Sequence, residues 1–177
     1  MLNRVKIDTF KETVSKVEKN PSLSKKILEV EGKWKIDVEI GPQFETKLKT
    51  ERAGEILLQT DETIILGGGG TAMNPVQLCI AGLLACYAAT FAKWAAMAGV
   101  VLKSFKIKGT ANMDMSAAFG ISENSPLENL QMELMIDSDT TLEKLFEINE
   151  LAKKRCPGYY CLTHEIIPQI NIKKIRK

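Results

Sequence analysis

From Val76 to Ala92 the chain carries no charged side chain, and signals for starting and stopping a helix stand at both ends of this run. Asn74 supplies an N-cap acceptor, Pro75 fits the first helical position, and Gln77 completes an Asn-x-x-Gln capping box. Gly99 supplies a left-handed stop. The spacing predicts one helix of about 24 residues, about 36 Å long at 1.5 Å per residue. A helix apolar nearly all round has to be covered on most of its faces. A chain of 177 residues has little left to wrap it, so a second copy is expected to share the task. A membrane is not the expected cover, because the strongly apolar part, Leu78 to Ala92, is interrupted by Gly82 and Thr90 and a span needs about 20 such residues.

The rest of the composition narrows the function classes. Basic and acidic residues, 24 and 22, are mixed along the chain and leave a net charge of +2. No nucleic-acid arm is implied, and Lys173, Lys174, Arg176 and Lys177 read as a solvated tail. The first eight residues hold no apolar signal core, which points to the cytoplasm. There the four cysteines, Cys79, Cys86, Cys156 and Cys161, are free thiols rather than a disulfide framework. The glycines Gly67 to Gly70 lack the Lys-Ser/Thr of a phosphate loop and the spacing of a dinucleotide fingerprint. They read as a flexible hinge delivering the chain to Asn74. No metal is expected, since the cysteines lack CxxC pairs and His164 is the only histidine. That histidine has no assigned role.

Around the central helix, hydrophobic periodicity outlines an α+β domain. An amphipathic helix is expected near Asp8 to Glu18, with Phe10, Val14 and Val17 on one side, ended by Asn20-Pro21. It belongs to an N-terminal extension, residues 1–26, ahead of the main domain, residues 27–177. Alternation predicts strands at Ile27 to Glu31, Trp34 to Ile40 and Phe44 to Glu51, then a hairpin through Arg52-Ala53-Gly54 into Glu55 to Gln59. After Gly99, Val100 to Thr110 and Leu127 to Asp137 read as strands, Thr140 to Arg155 as a second helix, and Cys161 to Ile172 as a closing strand.

Cysteine is usually a small buried hydrophobe, so each thiol needs a reason to be more. Cys79 lies seven positions before Cys86 on one helix, about 10 Å away. A disulfide needs Cα atoms about 4.4 to 6.8 Å apart, so these two cannot pair, and Cys79 reads as packing. Cys161, between Tyr160 and Leu162, reads as packing at the start of a strand. Cys156 follows Lys153, Lys154 and Arg155, and Pro157 stops the helix there. A thiol at a helix end beside positive charge is expected to be partly exposed and mobile. A thiol on a buried helix and another at a helix end are the ingredients of dithiol redox chemistry.

The combination of the Gly-Gly turn, Asn74-Pro75-Val76-Gln77-Leu78, the small-residue approach Ala81-Gly82-Leu83-Leu84-Ala85-Cys86, and the distant Cys156-Pro157 with Thr163 resembles the OsmC/Ohr family of thiol-dependent hydroperoxide reductases. The resemblance covers roughly Trp34 to Ile172. It implies an OsmC-like fold and an intertwined homodimer, with two central helices back to back and active sites at the subunit boundary. Cys86 then corresponds to the peroxidatic thiol, which becomes a sulfenic acid on attacking a hydroperoxide, and Cys156 to the resolving thiol that closes a Cys86–Cys156 disulfide. No bound cofactor is implied; an external dithiol, lipoyl groups in relatives, reopens the bridge by exchange.

Leu83, Leu84, Tyr87 and Phe91 surround Cys86 in sequence and suit an organic hydroperoxide, whose alkyl tail gains about 25 cal/mol per Å² buried. Leu83, Tyr87 and Gln77 are the candidate substrate contacts. One departure stands out. Relatives activate the thiol with an arginine from the N-terminal hairpin region, held by a glutamate just after the helix-opening proline; here that position is Val76. Arg52 is the candidate arginine, its other reading being a turn residue facing water. Cys86 lies about twelve residues into its helix, beyond the reach of the helix dipole, and burial alone raises a thiol pKa. The alternative function is an OsmC-like protein whose thiols serve another redox or small-molecule-binding role, and a third reading is a noncatalytic interaction module in which all four thiols are packing.

Overall fold

The computed structural model describes residues 1–175; of the basic tail, Arg176 and Lys177 lie outside the described residues. The charge-free run forms helix α2, Pro75–Met97, bounded as its end signals predict. Asn74 Oδ1 accepts from the Val76 amide at 2.8 Å, and Gln77 Oε1 accepts from the Asn74 amide at 3.1 Å. At the other end Gly99 takes φ +74°, a left-handed conformation natural to glycine, and the Val100 amide turns back to the Ala95 carbonyl.

The helix buries one face rather than most of its circumference. Leu83, Tyr87, Thr90, Phe91, Ala95 and Ala96 are buried, at the three- and four-residue spacing of one stripe. Against that stripe pack strand β4, Ser104–Met113, helix α4, Leu142–Arg155, and helix α5, Pro157–Thr163. Ala81, Gly82, Ala85 and Ala89 on the remaining surface are not buried. β4 pairs antiparallel with β5, Leu127–Asp137, around a register shift between Thr110 and Asn112, and a short helix α3, Met115–Ala118, lies between the strands. Phe105 and Ile107 of β4 and Met132, Leu134 and Ile136 of β5 back the core made by Tyr87, Phe91, Ala95, Val100, Ile148, Ala152 and Cys156. Burying a ring such as Phe91 contributes about 1.5–3 kcal/mol. At Gly109 a Cβ would stand 2.9 Å from Ile80 Cγ2 and 3.2 Å from Leu84 Cδ2. A glycine there lets the strand lie directly on α2.

The N-terminal half is arranged differently. Helix α1, Ile7–Lys19, has no buried residue; Phe10 meets Trp94 edge-on at 6.4 Å, beneath the ammonium of Lys93. The Asn3 side chain donates to the Val100 carbonyl at 2.8 Å and accepts from the Leu102 amide at 2.9 Å, holding the N-terminus to the chain beyond α2. Strands β1, Gly32–Trp34, β2, Phe44–Lys49, and β3, Glu55–Thr60, form an antiparallel sheet in the order β1-β2-β3. Its link to α2 is the loop that follows it. Asp61, 1% exposed, accepts from the Thr71 amide at 2.9 Å and hydroxyl at 2.7 Å, and the Gly70 amide donates to the Glu62 carbonyl. The glycine run is therefore a tied loop, not the flexible hinge expected.

Three predicted strands are absent. Ile27 to Glu31 and residues 35–40 form no strand, although Ile36, Val38 and Ile40 alternate with polar neighbours and are exposed. The predicted strand from Cys161 to Ile172 is helical to Thr163 and irregular afterwards, with Ile166, Ile167, Ile170 and Ile172 exposed. Alternation makes a strand only where a neighbouring strand receives its hydrogen bonds, and beyond the Lys35 amide, which donates to the Gln43 carbonyl at 2.7 Å, these segments pair with no strand among the described residues. The chain as a whole is α+β, with a sheet-rich first part and a helical layer on a second sheet.

Candidate active site

Along α2, the side chain of Cys86 meets the junction of α4 and α5. Cys156 is that junction. It ends α4, its amide donating to the Ala152 carbonyl at 2.9 Å, and it opens α5, its sulfur accepting from the Tyr159 amide at 3.4 Å. Pro157 occupies the first position of α5 and makes the break between the helices abrupt. The result places Cys156 Sγ 3.5 Å from Cys86 Sγ, across 70 positions of sequence. Both thiols are free. A disulfide has an S–S length of about 2.05 Å, so closing this gap takes about 1.5 Å of movement.

The floor of the site is backbone. Gly158 lies so near Cys86 that a Cβ there would stand 3.2 Å from its Cβ and 3.3 Å from its Sγ, with Leu83 Cδ1 at 3.7 Å. The Gly158 amide faces the Cys86 sulfur, and its hydrogen bond lowers the thiol pKa, whereas burial, the largest influence, and the neighbouring Cys156 raise it. The net effect is upward. Among the described residues, no cation influences Cys86. Beside the sulfurs, Tyr87 is buried, its hydroxyl donating to Asn149 Oδ1 at 2.8 Å, and its ring lies 5.8 Å from that of Tyr159.

The structure thus brings together Cys86, Cys156, Leu83 and Tyr87, and separates Gln77 and Arg52 from them. Gln77 is exposed, its side chain committed to the helix cap. Arg52 is exposed in the turn between β2 and β3, a sheet that lies apart from the helical layer. Cys156 corrects an expectation: it is 1% exposed, not partly open, because it plugs the angle between α4 and α5. The basic run before it does not reach the sulfur; Lys154 and Arg155 are exposed, and Lys153 binds Glu150 at 2.7 Å. His164 is turned aside too, stacked on Tyr160 at 3.9 Å. Cys79 is exposed rather than packed, and so is Cys161, which rides on α5.

Sequence reasoning missed Gly158, Tyr159 and Glu62. The Pro-Gly pair after Cys156 was the available signal for a second helix start, hidden because a cysteine serves as its cap. Glu62 accepts from the side-chain amide of Asn74, so a carboxylate does stand at the opening of α2, delivered by the preceding loop rather than by position 76. Hollows lined by Lys108, Thr110 and Glu133 and by Val101, Ser138 and Lys144 lie away from the sulfurs. Among the described residues, no group of three His, Cys, Asp or Glu side chains is placed to hold a metal ion.

Comparison with known proteins bears on the family and the fold. The family described as OsmC-like protein matches residues 67–171, which contain α2, Cys86, Cys156 and the β4-β5 sheet. No curated protein matches the chain. Among solved structures, an OsmC-like protein from Mycoplasma pneumoniae superposes with a TM-score of 0.58 at 17% identity, covering 78% of this chain and 88% of that one. An organic hydroperoxide resistance protein OsmC, also described as a predicted redox protein, from Legionella pneumophila gives 0.54 at 18% identity over 78% and 92%. A putative organic hydroperoxide resistance protein from Vibrio cholerae, with captopril in one of its active sites, gives 0.54 at 20% identity over 79% and 88%. At these identities the likeness is one of fold.

Proposed function

This chain belongs to the OsmC-like protein family, and from that premise we propose that it is a thiol-dependent peroxidase acting on organic hydroperoxides. The observation that carries the reading is the 3.5 Å separation of Cys86 and Cys156 Sγ, in surroundings of Leu83, Tyr87 and Tyr159 with an amide aimed at each sulfur. The Cys86 thiolate attacks the terminal oxygen of ROOH; the O–O bond breaks, the OH group passes to sulfur to give a sulfenic acid, and RO⁻ leaves as ROH by taking up the proton the thiol had released. The Cys156 sulfur then attacks Cys86 Sγ, the S–OH bond breaks, water leaves, and a Cys86–Cys156 disulfide remains. A dithiol of the external medium reduces it by exchange and leaves as its own disulfide. Since the thiolate is the nucleophile, the raised pKa of Cys86 has to be countered in the working assembly.

A homodimer supplies that assembly in the proposal. The open small-residue face of α2, Ala81, Gly82, Ala85 and Ala89, suits close packing against a second α2, and the unpaired alternating segments near Ile36 and Ile170 suit strand exchange. Arg52 of the partner subunit is the cation brought to Cys86, with Glu62 at the head of α2 as its carboxylate anchor in place of the family's glutamate at position 76. Purified protein is expected to consume cumene hydroperoxide in the presence of dihydrolipoamide, and Cys86→Ser to abolish that turnover; a Cys86→Ser protein as active as the parent overturns the reading.

A second reading is favoured by one observation, that burial pushes the Cys86 thiol up and nothing within the chain pulls it down as strongly. In it, the protein is an OsmC-like protein whose thiols bind or exchange with small molecules without reducing peroxide. A Cys86 thiol that titrates at or above the unperturbed ~8.5 in the native assembly favours this second reading.

A further inference from the structure

Cys156 is 1% exposed and Cys86 is half-buried, so in a disulfide between them only the Cys86 sulfur is partly open to a reductant. Exchange requires the attacking sulfur to reach one sulfur of the bond, with the other free to leave. A third thiol lies on the short helix that floors this site. Gly158 of α5 presses on Cys86, and the residue three places further along a helix shares the same face, about 4.5 Å up the axis. That residue is Cys161. It is exposed. Helix α5 has only seven residues and none of them is fully buried.

We propose that Cys161 is a relay thiol that carries the oxidation of the Cys86–Cys156 pair to the surface. This rests on the peroxidase reading above and adds a residue to it. The Cys161 thiolate attacks Cys86 Sγ; the Cys86–Cys156 bond breaks and a Cys86–Cys161 bond forms. Cys156 leaves as a thiolate and takes up the proton that Cys161 gave up. This isomerisation has no net redox change. An external dithiol then attacks the exposed Cys161 Sγ, freeing Cys86 as a thiolate, and its second sulfur closes on the first to release Cys161. Two electrons pass from the dithiol to the protein.

Two variants test the relay with readouts that a packing role for Cys161 does not move. In Cys156→Ser, one equivalent of cumene hydroperoxide followed by alkylation and peptide mapping is expected to show a Cys86–Cys161 disulfide. In Cys161→Ser, the Cys86–Cys156 disulfide is expected to form at the parent rate, its reduction by dihydrolipoamide to slow at least about tenfold, and its reduction by a small phosphine to be unchanged. A dimedone-trappable Cys86 sulfenate that persists unlinked in Cys156→Ser, or parent-rate reduction of Cys161→Ser by dihydrolipoamide, overturns the relay while leaving the peroxidase reading intact. A Cys86 that no peroxide oxidises in the unmodified protein overturns both.

Discussion

A methyl group added at Gly158 would sit 3.2 Å from Cys86 Cβ and 3.3 Å from its sulfur, closer than nearly all real side-chain contacts, so α5 would have to retreat by a few tenths of an ångström. The backbone itself raises no objection, since φ at Gly158 is not in the left-handed region, and alanine gains up to about 1 kcal/mol over glycine inside a helix. The two effects act on different properties. Gly158→Ala is expected to leave the melting temperature unchanged or raised, while disulfide closure after peroxide slows by roughly tenfold, about 1.4 kcal/mol in the barrier. Stopped-flow fluorescence with a parallel melt checks both, and unchanged closure means that Gly158 is not the floor of the site. At this scale Cys86 and Cys156 are legible in the sequence, through one thiol's place in an apolar helix and the other's place ahead of a proline. The burial of Cys156 is not, because a helix end next to lysines and an arginine looks exposed until the following helix folds back over it.

Elements are legible where both of their ends carry local signals. Helix α2 begins and ends at Asn74 and Gly99, and β5 and α4 run close to their expected bounds. Helix α5 escapes because Tyr159 and Tyr160 favour strands and a cysteine stands in for the usual Ser, Thr, Asp or Asn cap. The same scale holds the open face of α2. In a single chain it exposes Ala85, and a carboxylate there costs little. Packed against a second α2, a charge is buried without a partner, a loss of several kcal/mol. Ala85→Glu is accordingly expected to cause unfolding or aggregation rather than yield soluble monomer, as read by size-exclusion chromatography with light scattering. A folded, monomeric Ala85→Glu protein contradicts the back-to-back arrangement.

For the whole molecule, the α+β class follows from local signals and a single long helix, and the pairing of the two sulfurs from the family resemblance, while the segments near Ile36 and Ile170 alternate yet find no strand partner among the described residues. The site shares that property. Its sulfurs, amides and apolar wall come from α2, α4 and α5, and among the described residues no cation lowers the Cys86 pKa. The most direct test of the central claim is peptide mapping of the unmodified protein, quenched early after one equivalent of cumene hydroperoxide. A Cys86–Cys156 disulfide as the first link formed is the predicted result. Cys86 recovered as a free thiol, with the oxidation elsewhere or absent, would contradict it.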